Sequence, residues 1–227
     1  MVSSESRDGS RTDPTEEGVL MPPAFSAEEK DRITRQLLET GHELFTRQGL
    51  RKTSLEELTG PAGVAKSSFY QFFDSKEALY LELMLRETGS VKRKVIDEAL
   101  MSTEDTREAL RRFLRATLGE LSGNPLWRRL MTHPEEMRAV AGKLDPDRAA
   151  ALSDNPATAL TGFIAGKQRD GDLIDADPAV VVGVLQTVLL VPMFAERLGD
   201  PAHHPKIFDL LIDIVTAGLT KGKETTP

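Results

Sequence analysis

KTSLEELTGPAGVAKSSFYQFFDSKEAL, residues 52–79, packs a short helix, a glycine-containing turn and a second short helix into one run. Thr53 is placed to cap the first helix, with Glu56 completing a capping box, and Ser54 with Glu57 fits the same pattern one residue later. Leu55 and Leu58 give that helix an inner face. Gly60-Pro61 ends it, because proline cannot continue a helix interior. Gly63 supplies a backbone free to take positive φ in the turn. Val64, Phe69 and Phe73 are spaced to point into a common core. Lys66, Ser67, Ser68, Tyr70 and Gln71 are left for the outer face. Asp74 is placed to cap the next helix, with Glu77 at its capping-box position.

This is the layout of a helix-turn-helix, which lays its second helix in the major groove of DNA. The outer residues suit that task. Lys66 can pair with a phosphate, and Ser67 and Ser68 are short enough for close approach. Tyr70 carries a hydroxyl on a rigid arm, and Gln71 has the geometry to read an adenine edge. Lys76 stands in the first turn of the following helix, where backbone amides also face an anion. A plain surface hairpin of helices has the same spacing, so the motif by itself leaves that alternative open.

The wider context resembles the DNA-binding domain of the tetracycline-repressor (TetR) family of transcriptional regulators, from about residue 27 to residue 83. Its most specific part is AGVAKSSFYQFFDSKEAL, residues 62–79. The resemblance implies that Thr53, Lys66, Ser68, Tyr70 and Lys76 occupy DNA-contacting positions. Three residues depart from the family pattern: Ala65 replaces a usual Ser, Ser67 a frequent Gly, and Phe72 a frequent His or Tyr. Ala65 removes a side-chain helix cap, a loss of about 1 kcal/mol.

Charge runs against a simple DNA-binding footprint. The 227-residue chain is net −7, and residues 25–90 hold nine Lys/Arg against eleven Asp/Glu, a balance of −2. A basic domain is the usual signature. Locally the balance recovers: Arg47, Arg51, Lys52, Lys66 and Lys76 face only Glu56, Glu57 and Asp74 between residues 47 and 76. The chain has no Cys, which excludes disulfides and thiolate sites and fits a cytoplasmic protein. Residues 1–24 are polar, acidic and aperiodic and read as a disordered arm, without an apolar secretion signal. The expected organisation is that arm, a DNA-binding domain over 25–74, a helical regulatory and dimerisation domain over 75–221, and a flexible tail over 222–227.

The fold class expected is all-α: a three-helix, helix-turn-helix DNA-binding domain followed by a helical ligand-binding and dimerisation domain. Ser26 and Glu29 form a capping box for the first helix, whose stripe is Ile33, Leu37, Gly41, Leu44 and Phe45, and Gln48-Gly49 ends it. A long helix leads from Ser75 toward Leu100, with Gly89-Ser90 as its weak point. The Lys92-Arg93-Lys94 run on it reads as a solvated face rather than a second DNA patch. Helices are further expected over 106–121, 126–132, 135–144 and 147–166, then a loop over 171–177. The last pair opens at Asp177-Pro178 and at Pro205. Both are apolar on more than one face, and the first is short for a membrane span. Pairing with the same helices of a second copy buries them, and the family resemblance implies such a homodimer, reading a palindromic operator.

The resemblance also implies a small-molecule effector in the C-terminal core. Phe113, Trp127, Met131, Phe163, Met193 and Phe194 are the large residues available to line a pocket, although each also serves as ordinary core. His133 with Glu136 is only half a metal site, and His203-His204 share no face, so neither a metal nor a cofactor is expected. No nucleophile–base pair or phosphate loop suggests an enzyme. The expectation is therefore a ligand-responsive transcriptional repressor. The alternative is a small-molecule or protein-binding module of the same fold without DNA binding.

Overall fold

The computed structural model describes residues 25–141, 147, 150 and 153–221. The acidic arm (1–24) and the tail (222–227) lie outside the described residues, as do parts of the segments 135–144 and 147–166. All regular structure among the described residues is helical, apart from one isolated bridge between Leu173 and Thr220.

Helix α1 spans Ala27–Lys52. Both halves of its capping box are present: the Ser26 hydroxyl accepts from the Glu29 amide, and the Glu29 carboxylate accepts from the Ser26 amide. Ile33, Leu37, Leu44 and Phe45 are buried as the stripe requires. Gly41 lets α1 come close to the fourth helix, since a Cβ there would sit 3.2 Å from the side chains of Leu79 and Leu83. Gly49, at φ +79°, breaks the helical path as its position predicts, and a last turn then runs on to Lys52.

Helix α2 spans Leu55–Thr59 and is capped by Ser54, with Glu57 completing the box. Thr53 is therefore not its cap. Thr53 closes α1 instead, with its buried hydroxyl donating to the Gly49 carbonyl at 2.8 Å. Gly63 takes φ +67° in the turn. Helix α3, Lys66–Gln71, winds as a 3-10 helix and has no side-chain cap at Ala65. Phe69 is fully buried, Phe73 packs on it, and the Phe72 ring packs at a tilt against Phe25.

Helix α4 spans Lys76–Lys92 and is capped by Ser75, whose hydroxyl accepts from the Ala78 amide. The cap falls one residue after the expected Asp74, and Ala78 at the third position leaves no capping box. The helix passes through Gly89-Ser90 without a break and instead widens into a π turn over Arg93–Asp97. Helix α5 is Thr106–Gly123, α6 is Pro125–Thr132 and α7 is Pro134–Ala141. The single helix expected over 147–166 is interrupted at Asp154 and Asn155; Asn155 caps α8, Pro156–Arg169. Asp177 caps α9, Pro178–Leu190, and Pro192 turns the next segment, Val191–Arg197, into a 3-10 helix. Helix α10 is His204–Leu219, joined to α5 by Arg111–Asp213 (2.8 Å) and Arg115–Asp209 (3.0 Å) pairs.

Two apolar cores result. One holds Val91, Val95, Leu110, Phe113, Leu114, Leu160, Leu185 and Ile212. The other joins α1–α3 to Leu79, Tyr80, Leu83 and Met84 of α4, and also takes in Leu126 of α6 and Val140 of α7. The N-terminal core is thus completed by residues far along the chain, and α4 belongs to both cores. Leu126→Ala is expected to cost about 2–5 kcal/mol. Because the cavity opens in the N-terminal core, amide-exchange protection should fall in α1 and α4; urea titration and hydrogen exchange check both.

Candidate nucleic-acid interface and regulatory cavity

Helix α3 presents Lys66, Ser67, Tyr70 and Gln71 to solvent, with Ser68 half-buried beside them. Tyr70 is 56% exposed, and its ring meets Phe69 edge-on at 5.8 Å. A buried phenylalanine thus steadies an exposed phenol. Lys66 donates to the Glu56 carboxylate at 2.7 Å. That bond holds the Glu56 carboxyl below its usual range and the Lys66 ammonium above its own. Both side chains are exposed, so the pair opens at little cost and a phosphate can replace the carboxylate. Sequence reading missed this pair, because ten positions across an irregular turn leave no periodic signal.

Two expected contacts are placed differently. Thr53 is 1% exposed and its hydroxyl is spent on Gly49, so its side chain has no route to a phosphate. Lys76 is half-buried, and its ammonium donates to the Thr53 carbonyl at 2.6 Å, tying the start of α4 to the end of α1. Its remaining N–H donors are the ones left for an anion. Arg47, Arg51 and Lys52 are exposed on the last turns of α1. The Lys92-Arg93-Lys94 run lies at the other end of α4, where Lys92 pairs with Asp154 and Lys94 with Glu120.

The second feature is a cavity of about 220 Å³ walled by α4, α5, α6, α7, α8 and α9. Of the six residues proposed to line it, Phe113, Trp127 and Met131 do. Met193 lines an adjoining groove of about 720 Å³, together with Trp127 and Met131. Phe163 is half-buried and borders neither space. Phe194 is 55% exposed on the turn after Pro192, under the Arg197 guanidinium, because that proline ends α9 before the phenylalanine can face inward. Sequence reading missed Thr88, Val91 and Val95, which bring α4 and its π turn into the cavity wall. The sequence marks this segment as a long helix but carries no signal for a gap left beside it.

A half-buried polar cluster joins the two regions. Arg129 of α6 grips Glu136 of α7 with two bonds, 2.6 and 3.2 Å, and Tyr80 of α4 donates to the same carboxylate at 2.7 Å. The cluster sits against Gly49, where any Cβ would overlap the Arg129 guanidinium and the Glu136 carboxylate. Burial pushes the Glu136 carboxyl up, but the bonds from Arg129 and Tyr80 outweigh it and leave it lowered. Burial, and then the bond to Glu136, push the Tyr80 phenol far above its usual range. Asn124 adds a second link: it caps α6 through the Trp127 amide and donates to Glu87 of α4 at 2.6 Å. Glu136 is thereby committed to Arg129 and Tyr80 rather than to His133, which contacts Thr132.

Residues 37–83 match the family model described as bacterial regulatory proteins, tetR family. The transcriptional activator FasR of Mycolicibacterium smegmatis is 34% identical over 87 residues, 38% of this chain and 39% of that one. The transcriptional repressor KstR2 of Rhodococcus jostii is 35% identical over 63 residues, 28% of this chain and 31% of that one. The chain thus spans less than half the length of these curated relatives, and the likeness lies in a short stretch. Over a larger extent, a TetR family regulator structure from Marinobacter aquaeolei superposes with a TM-score of 0.62 at 17% identity, covering 87% of this chain and all of that one. This last likeness shows the fold.

Because the folded Glu136 carboxyl is lowered, its contribution to stability is complete above the unfolded value, about 4.3. It is lost as pH falls through the lower folded value. Glu136→Gln is expected to cost about 3 kcal/mol at pH 7, where it leaves the Arg129 charge without its partner. The gap between variant and parent should narrow as the pH is taken from 5 toward 2, read from melting temperatures along a pH series.

Proposed function

Because the chain belongs to the tetR family of DNA-binding transcriptional regulators, we propose that it works as a homodimeric repressor released from a palindromic operator by a small molecule in the helical core. The observation that carries this reading is the shared helix: α4 begins at the DNA-facing unit with Lys76 and ends in the cavity wall with Thr88 and Val91. A molecule that favours one width of the cavity favours one setting of α4. For release, it must bind the DNA-free setting more tightly than the bound one.

In this reading residues 25–74 form the DNA-binding unit and 75–221 the regulatory one, located in the cytoplasm with the DNA. Lys66, Ser67, Ser68, Tyr70 and Gln71 face the groove, Lys76 takes a phosphate, and Thr53 serves through the carbonyl that positions Lys76. Dimerisation is supported by unpartnered apolar stripes: Val180 and Val184 on α9, Leu210 and Ile214 on α10, from 38 to 60% exposed. Residues Pro178–Arg197 are apolar and long enough to cross a membrane by composition and length alone. The 3-10 turn after Leu190 and the adjacent stripe on α10 favour a second copy over lipid as the cover. Two recognition helices related by a dyad then read half-sites ~34 Å apart.

One observation favours the second reading, a binding module without DNA binding. Both lysines expected to contact DNA are engaged within the chain, Lys66 by Glu56 and Lys76 by the Thr53 carbonyl. Shift assays on DNA flanking the gene, over a salt series, distinguish the two. Lys66→Ala should weaken binding and reduce the log–log salt slope by about 2, roughly one phosphate in each protomer. Tyr70→Ala should weaken it without changing folding. Affinity that is the same in both variants and the parent removes them from the interface. Leu210→Glu with Ile214→Glu is expected to convert the dimer to monomer in sedimentation velocity and to lower operator affinity at least about tenfold.

A further inference from the structure

The chemistry of the cavity goes further than its location. Among the described residues, every side chain lining the inner cavity is uncharged. Two cations beside these spaces already have hydrogen-bond partners inside the protein. Lys92 pairs with Asp154 at 2.6 Å, next to the lining residue Asn155. Arg128, on the adjoining groove, donates to the carbonyls of Leu121 and Ser122, each at 2.6 Å. Among the described residues that line the inner cavity, a carboxylate or ammonium would find no counter-charge, and an unpaired buried charge is strongly disfavoured.

Three polar side chains stand where the cavity meets the groove, one of them Trp127, whose buried Nε1–H has no hydrogen-bond partner among the described residues. Thr117 and Gln186 line both spaces. The Thr117 hydroxyl donates to the Phe113 carbonyl at 2.8 Å, so its oxygen is left as an acceptor. Gln186 is exposed, and its amide offers both a donor and an acceptor. A 150 Å³ apolar cavity takes benzene, so about 220 Å³ takes a somewhat larger ring or a chain of roughly eight carbons.

We propose that the effector is an uncharged, mainly apolar molecule bearing one hydroxyl or carbonyl group, its apolar part in the inner cavity and its polar group between Thr117 and Gln186. This rests on the cavity being the effector site. The chain has a single Trp, and Trp127 lines the cavity at 8% exposure, so its fluorescence reports occupancy of this site. The full chain is titrated at pH 7 with 1-octanol, octanoate and octylammonium, which share a chain and differ in head-group charge. Octanol is expected to change Trp127 emission saturably, at least about tenfold more tightly than either ion, equivalent to about 1.4 kcal/mol. Thr117→Phe, which fills the junction, should abolish the response. Gln186→Leu, an exposed change that the fold accepts, should weaken octanol several-fold and leave toluene unchanged.

Equal or tighter binding of octanoate or octylammonium overturns the proposal, and so does the lack of a saturable octanol response in the parent chain. Operator affinity measured in the same titrations separates this from the reading beneath it. Saturation by octanol with unchanged DNA affinity overturns the effector role and supports the neutral-ligand chemistry. DNA release by a charged probe does the reverse.

Discussion

The Arg129–Glu136 pair, with Tyr80 on the same carboxylate, is the contact on which the joint between the two halves depends. Its members come from α6, α7 and α4, and it rests on the end of α1 at Gly49. Buried ion pairs are poor stabilisers when compared with well-packed apolar groups, because both charges lose water. Their strength is in geometry. A two-bond guanidinium–carboxylate grip tolerates little rotation, and the phenol bond fixes α4 against it. Gly49 then has two duties at once. It turns the chain with positive φ where α1 ends, and its missing side chain makes room for the guanidinium. From Gly49 the connection continues through Thr53, which donates to the Gly49 carbonyl, to Lys76, which donates to the Thr53 carbonyl. Close packing at Gly49 and two hydrogen bonds beyond it therefore connect α7 to the first turn of α4, beside the helix-turn-helix.

Helix α4 makes that joint consequential. Its first half is locked into the N-terminal core by Leu79, Tyr80, Leu83 and Met84, and its end belongs to the other core through Val91. Between Arg93 and Asp97 it widens into a π turn, and Val95 of that turn lines the cavity. A π turn is a costly irregularity, kept most often where a helix has a functional task. Here it sits where a bound molecule would press. The pressure can be relieved by the wide turn, or it can be carried along the regular part of α4 to the clamp at Tyr80. Which path dominates depends on the clamp: a rigid Tyr80–Glu136–Arg129 contact makes α4 pivot, whereas a loose one lets the helix absorb the change locally.

Much of this was legible in the sequence, for specific physical reasons. The Ser26 and Glu29 box, the positive-φ turns at Gly49 and Gly63, and the Asp177-Pro178 opening are local grammar, set by side chains a few residues apart, and they appear as read. The errors at Thr53 and Asp74 are slips of one residue, where two adjacent residues both satisfy the capping rule and tertiary contacts choose between them. Thr53 went to α1 because its methyl-bearing side chain is buried there. Phe163 and Phe194 were misplaced because size alone says nothing about which side of a helix borders a void. The clamp was invisible, since Tyr80, Arg129 and Glu136 come together only through long-range packing. Only the oddity of Tyr80, a polar-tipped residue in a run of core positions, hinted that its hydroxyl needed a buried partner.

The acidic balance of the DNA-facing region fits this mechanical picture. When Lys66 leaves Glu56 for a phosphate, one exposed ion pair is exchanged for another, and the freed carboxylate stays nearby. The net gain per protomer is small, so affinity cannot rest on bulk charge. In the proposed homodimer it rests on placing both reading faces correctly at the same time, which is a property of dimer spacing. Affinity of that kind is sensitive to small changes in angle. A ligand needs only a modest preference for one setting of α4, because about 1.4 kcal/mol of differential binding already shifts the population tenfold. In the proposed switch a weakly charged reading head and a tight internal clamp work together: the first would keep DNA binding dependent on geometry, and the second would put that geometry under the control of the cavity.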